Sequence, residues 1–262
     1  MKYLLFISAF FMIFFSSGCK NEEIILKKTS YNLVVKDILG VTGTVTFTEE
    51  NSTTTKIDIQ LTGIPSGIHP AEVRTNSAVE GGTTVIVLNP VDVMGKSSTT
   101  TTSMTYSQLI AYDGFVQVHL SSSEPDQIIA IGDIGGNVIS AINVNYPLST
   151  VGSYGITGNA LFEKRVNGNT LVTLTMDGLL PGTYYPASIN VGSIGTIGGG
   201  GIMKTLQAVD GNTGKGYTNI RSLNNEVPIT YANWLVYVGY INVYHTEADN
   251  LNIISQGNIG SN

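Results

Sequence analysis

Apolar and polar residues alternate with period two along much of the chain. Thr44-Val45-Thr46-Phe47, Lys56-Ile57-Asp58-Ile59-Gln60-Leu61, Phe115-Val116-Gln117-Val118-His119 and Thr170-Leu171-Val172-Thr173-Leu174-Thr175 each send every second side chain to one face. Such alternation marks a strand with one face in a core and the other in solvent. Glu49-Glu50-Asn51-Ser52 and Asn167-Gly168 fall between strand candidates and read as hairpin turns. The Ser/Thr run at 97–103 reads as a polar loop, and short helices are expected over 105–111 and 228–236. No long stretch repeats every 3.6 residues, which excludes coiled coils and helical bundles. A different pattern opens the chain: residues 3–15 form a nearly unbroken apolar run of 13 residues behind Lys2. A membrane-spanning helix needs about 20, so this run suits the apolar region of a signal peptide.

The alternating part occurs twice. Val41-Thr-Gly-Thr-Val-Thr-Phe47 matches Ile156-Thr-Gly-Asn-Ala-Leu-Phe162 at an offset of 115. Gly114-Phe-Val-Gln-Val118 matches Gly239-Tyr-Ile-Asn-Val243 at an offset of 125, and the segment 128–137 matches 253–262 at the same offset. The second copy therefore carries about ten extra residues, expected in the Gly-rich stretch 195–201 and near Gly214. The resulting division is a signal peptide at 1–18, a tether at 19–30, a first β-domain at 31–137, a linker at 138–145 and a second β-domain at 146–262. The predicted class is all-β: two tandem antiparallel sandwiches of Greek-key, immunoglobulin- or superoxide-dismutase-like type.

Composition narrows the function. Charged residues are 12 % of the chain, against about 25 % in ordinary proteins. The net charge of −6 and a pI near 5.0 leave no basic face for nucleic acid. There is one cysteine, so no internal disulfide, and three histidines, which is little material for a metal or triad site.

That cysteine sits in a telling place. Ser16-Ser17-Gly18-Cys19 follows the apolar run and resembles the bacterial lipobox, in which the cysteine is acylated and the peptide cut before it. Several acyl chains at about 0.8 kcal/mol per buried methylene hold a protein at a bilayer. Lys20 stands where an inner-membrane retention signal would place Asp, and Lys20-Asn21-Glu22-Glu23 looks like the surface-export signal of Bacteroidetes lipoproteins. The resemblance implies a lipid-anchored outer-membrane protein exposed at the cell surface, with a periplasm-facing anchor as the alternative.

A second resemblance covers residues 31–137 and 146–262. Copy one reads His69-Pro-Ala-Glu-Val-Arg74, then Gly81 to Asp92 ending in Leu88-Asn-Pro-Val-Asp92, then Phe115-Val-Gln-Val-His119 and Ile128 to Gly135. Copy two reads Tyr185-Pro-Ala-Ser-Ile-Asn190, Leu206-Gln-Ala-Val-Asp210 and Tyr240-Ile-Asn-Val-Tyr-His245. This ordered set resembles the CHRD domain. The family's histidine pair falls on Glu72 and Arg74 in copy one and on Ser188 and Asn190 in copy two. Its closing histidine is His119 in copy one, whereas Tyr244 takes that position in copy two. His245 follows it, one residue on and so on the opposite face.

The chemical candidates are few. His69, Glu72 and His119 could converge as a zinc or copper site, since imidazole and carboxylate suit those metals. The alternative is ordinary surface histidines. Too few histidines exist for the two-metal site of a Cu/Zn superoxide dismutase. The glycine run at 198–201 lacks the Gly-Lys-Ser/Thr of a phosphate loop, and no G-x-S-x-G elbow occurs. Trp234 with Tyr231, Tyr237 and Tyr240 could stack on a sugar or partner, or divide between the core and cross-strand pairs. The expected protein is a non-enzymatic envelope module without a cofactor, anchored through Cys19, that binds a protein or glycan partner. Metal binding through His69, Glu72 and His119 is the alternative.

Overall fold

A computed structural model describes residues 26–195, 200–246 and 249–262; Cys19, the signal segment and Gly198-Gly199 lie outside them. The first half holds β1 (Lys28–Val35), β2 (Thr42–Glu49), β3 (Thr55–Thr62), β4 (His69–Thr75), β5 (Thr84–Val91), β6 (Lys96–Thr101), α1 (Tyr106–Leu109), β7 (Asp113–His119) and β8 (Ile128–Gly135). The second holds β9 (Ile139–Thr150), β10 (Thr157–Arg165), β11 (Thr170–Asp177), β12 (Tyr184–Val191), β13 (Ile202–Asp210), β14 (Lys215–Ile220), α2 (Tyr231–Leu235), β15 (Val238–Thr246) and β16 (Asp249–Gly260).

Each half forms one eight-stranded antiparallel sheet. The first runs β5-β4-β7-β8-β1-β2-β3-β6, and the second closes into a barrel as β10-β11-β14-β13-β12-β15-β16-β9. Counted from its own first strand, each half follows the same cyclic order, 1-2-3-6-5-4-7-8. The duplication read from sequence is thus a duplication of topology.

The duplication extends to detail that strand patterns do not carry. Tyr31 meets Phe47 edge-on at 5.6 Å, and Tyr146 meets Phe162 edge-on at 5.3 Å, both displaced by 115. Thr105 and Thr230 open the two helices, each with its N–H held at 2.9 Å by the side chain three residues on, Gln108 or Asn233. The last matched residue is a plug in both copies. Asn137 Nδ2 donates to the carbonyl of Asn76, and Asn262 Nδ2 donates to those of Gly192 at 2.9 Å and Gly239 at 2.6 Å. Asn76 and Gly192 both adopt left-handed backbone, φ +63° and +97°. Glycine and asparagine are the residues that tolerate it.

Three boundaries differ from expectation. Residues 97–101 are not loop but β6, paired with β3 from Ser97↔Ile59 to Thr101↔Thr55. Ser97 and Thr101 are buried, and their small hydroxyls fit an inner face that the hydropathy pattern hides. Residues 139–145 are not a linker but the first half of β9, paired with β10 from Ile139↔Arg165 to Asn145↔Leu161. The tether is also shorter, because β1 begins at Lys28.

The extra residues of copy two lie elsewhere as well. Leu88 and Leu206 face the equivalent Ala71 and Ala187, an offset of 118; Lys96 and Lys215 face Gln60 and Thr175, an offset of 119. Thr105 and Thr230 differ by 125. Six of the ten extra residues therefore fall between β14 and α2, and only three lie in or near the glycine-rich turns.

Both sheets are weakest between their fifth and sixth strands. No backbone ladder joins β5 to β6; Asn89 N–H instead donates to Thr99 Oγ1 at 2.8 Å, and Ser97 Oγ donates to Asn89 O at 2.5 Å. In copy two Gln207 N–H donates to Thr218 Oγ1 at 2.9 Å, beside one ladder pair, Asp210↔Lys215.

Candidate functional site

On β4, Ala71 and Val73 point into the core, so Glu72 and Arg74 point outward. On β7, Val116 and Val118 are in the core, which sends Gln117 and His119 outward. The register Glu72↔Gln117 puts the two outward sets side by side. Glu72 Oε1 lies 3.0 Å from His119 Nε2 and 2.6 Å from Arg74 Nη1. Its other oxygen accepts from Thr84 Oγ1. His119 Nδ1 lies 2.5 Å from the Pro125 carbonyl, which can only accept, so Nδ1 carries a proton. A cavity of about 340 Å³ opens beside the cluster, lined by Arg74, Gly82, Phe115, Gln117, His119 and Asp126.

Burial acts to raise the Glu72 carboxyl. The hydrogen bonds from Thr84 and His119 and the charge of Arg74 outweigh it and hold Glu72 below the ordinary glutamate value of 4.5. A depressed carboxylate stabilises the fold above its unfolded pKa and loses that contribution as pH falls through the folded one. Glu72→Gln should therefore flatten the acid side of the stability profile below pH 4.5, checked by urea midpoints at a series of pH values. An unchanged acid limb would contradict the assignment.

Copy two carries the same cluster without charge. Ser188 pairs with Asn242, Ser188 Oγ lies 2.9 Å from Tyr244 Oη, and Asn190 Nδ2 donates to Ser188 Oγ at 3.1 Å. Tyr244 replaces His119 at a register shift both copies share, Val118/His119 and Val243/Tyr244. His245 lies instead against Tyr154, with ring centroids 5.7 Å apart.

The expected three-residue metal set is not assembled. His69 shares the inner face of β4 with Ala71 and Val73, opposite Glu72, and is fully buried. Its ring nitrogens face the carbonyls of Leu120 at 2.7 Å and Pro65 at 3.1 Å, tying the β3–β4 connection to the end of β7. Among the described residues no group of three His, Cys, Asp or Glu side chains comes together. The aromatic set is divided: Tyr231, Trp234 and Tyr240 are buried, and Tyr237 packs against the core of copy two.

Comparison with protein-family models, curated proteins and solved structures gives no match.

No pattern along the chain marks Arg165. It ends β10 and is fully buried, and its Nη1 donates to Asp133 Oδ2 at 3.0 Å and to the Asn137 carbonyl. Val166 N–H donates to Val138 O at 3.0 Å and Asn167 N–H to Gly136 O at 3.1 Å beside it. Arg165 is thus a charged rivet between the two copies.

Proposed function

We propose that this chain is a non-enzymatic, lipid-anchored protein of the bacterial outer membrane that presents two CHRD-like Greek-key β-domains as a binding module. The observation that carries the reading is the contrast between the copies. Strand order, helix caps and the closing asparagine are kept in both, while one cluster on the strand side away from the core is charged in copy one (Glu72 and Arg74, beside His119) and neutral in copy two (Ser188, Asn190, Tyr244), where Ser188 and Asn190 are buried. A scaffold held constant while one face changes fits recognition, because function is carried by sites grafted onto a fold. The crossovers from third to fourth and from sixth to seventh strand support the Greek-key description.

The anchor fixes where that module works. Lys28 opens β1 nine residues after Cys19, a reach of about 30 Å at roughly 3.4 Å per extended residue. The start of copy one is then held within that distance of the bilayer. Cys19→Ser should move the protein from the membrane fraction to the soluble one; a variant that stays with membranes contradicts the anchor. Protease shaving of intact cells separates a surface-exposed protein, which is cut, from a periplasm-facing one. For the binding role, the chain 20–262 is screened against glycans and envelope proteins beside Glu72→Gln. Capture that Glu72→Gln weakens supports the cluster as the recognition face, and capture that is unchanged removes it.

A further inference from the structure

The extra residues of copy two have a definite place. Asn224, in the insertion between β14 and α2, lies along the first half of β13. Its N–H donates to Met203 O at 2.9 Å, its Oδ1 accepts from Thr205 N–H at 3.1 Å, and its Nδ2 donates to Thr205 Oγ1 at 3.1 Å. The insertion covers the part of the strand edge that the sixth strand does not reach.

Copy one lacks those residues. At the offset of 118 fixed by Leu88 and Leu206, Thr205 corresponds to Val87 and Met203 to Val85. β6 serves β5 only as far as Asn89, through Ser97, Ser98 and Thr99. Beyond it, among the described residues, no segment takes the place of Asn224. Val87 is 76 % exposed and Val85 36 %. The strand between Gly81 and Val91 holds no charged residue, whereas β13 carries Lys204 where β5 has Ile86. An uncharged, β-branched edge with unpaired backbone groups is a template for another strand.

We propose that the free half of β5 pairs with β5 of a second copy of this chain. Antiparallel pairing centred on Ile86 sets Val85 of each chain opposite Val87 of the other. Each Val87 N–H then donates to the partner's Val85 carbonyl, and these are the two groups that Asn224 covers at the equivalent positions of copy two. The contact is isologous and closes on a two-fold axis. Neutrality is what makes the strand self-complementary: no like charges meet across the axis, as two lysines would if Lys204 stood there. The pairing goes beyond the proposed function and stands whether or not Cys19 is acylated.

Sedimentation of the chain 20–262, which contains all sixteen strands, tests this directly. The expected species has twice the monomer mass. Val87→Pro, which removes the donor from an edge position where proline is tolerated, is expected to be monomeric. A wild-type chain that stays monomeric up to its solubility limit, or a dimer that survives Val87→Pro, overturns the proposal. Should Val87→Pro prove unfolded by circular dichroism, cross-linking decides. Chains from residue 20 onward contain no cysteine. Facing residues in such a pair have Cα atoms about 5.5 Å apart, within the disulfide window. Mixing Val85→Cys with Val87→Cys chains is expected to give a disulfide-linked dimer in greater yield than either variant alone. Equal yields from all three samples would refute the register and the pairing with it.

Discussion

Replacing Arg165 with methionine should destabilise the protein by about 3–5 kcal/mol, the usual cost of leaving one member of a buried ion pair without its partner. Asp133, whose side chain is 17 % exposed, would keep one hydrogen bond, from Ala78 N–H at 2.7 Å. Burial already raises the Asp133 carboxyl above its ordinary 3.8, and the charge of Arg165 restrains that rise. Without the guanidinium the carboxyl rises further. A carboxyl with a raised folded-state pKa loses stability as pH increases through that value, because the unfolded chain ionises more readily. The deficit of Arg165→Met should therefore be smallest below pH 3.8 and grow as pH rises. Adding Asp133→Asn should recover part of the loss. Trp234 is the only tryptophan and lies in copy two, so its fluorescence follows that copy while circular dichroism follows both. In the parent protein the two signals should change together in urea; in Arg165→Met they should separate. Coincident transitions in the variant would show that Arg165 does not couple the copies.

The second large effect falls on Trp234 itself. It is fully buried, edge-on to Phe162 at 6.0 Å and to Tyr237 at 5.0 Å. It stands at the position of Leu109 in copy one, at the offset of 125 shared by the two helices. Trp234→Ala removes the largest side chain of that core and should cost about 3–5 kcal/mol, read from the urea midpoint by circular dichroism. Its indole Nε1 has no acceptor within reach, and a buried donor without a partner is itself unfavourable. Trp234→Phe should consequently cost much less than Trp234→Ala. A Trp234→Phe loss as large as the alanine loss would contradict the packing assignment.

The duplication and the strand class were legible because both depend on pattern. Period-two alternation at 115–119 and 170–175 marks strands wherever one face is buried, and the offsets 115 and 125 survive as sequence identities. Residues 97–101 were missed because serine and threonine occupy the inner positions of β6, so burial leaves no hydropathy trace. Residues 139–145 were missed because Ile139, Ala141 and Ile142 break the alternation of a strand on the outside of a joint. At the cluster, Glu72 and His119 were named together because the strands that hold them were recognised. His69 was grouped with them because the family resemblance puts both segments at one end of the domain, although its odd spacing from Glu72 on an alternating strand sets it on the other face. Arg165 and Asn224 act through contacts with distant segments, which one sequence cannot display.

The insertion that covers β13 also sets the valency of the chain. With β13 guarded and β5 bare, only one of the two equivalent fifth-strand edges is open among the described residues, so pairing through it ends at two chains. Were both copies like the first, every molecule would carry two edges and could link its neighbours into an open fibre. Asn224 and the residues around it thus act as a terminator, and moving that insertion from copy two to copy one would move the point of assembly from β5 to β13.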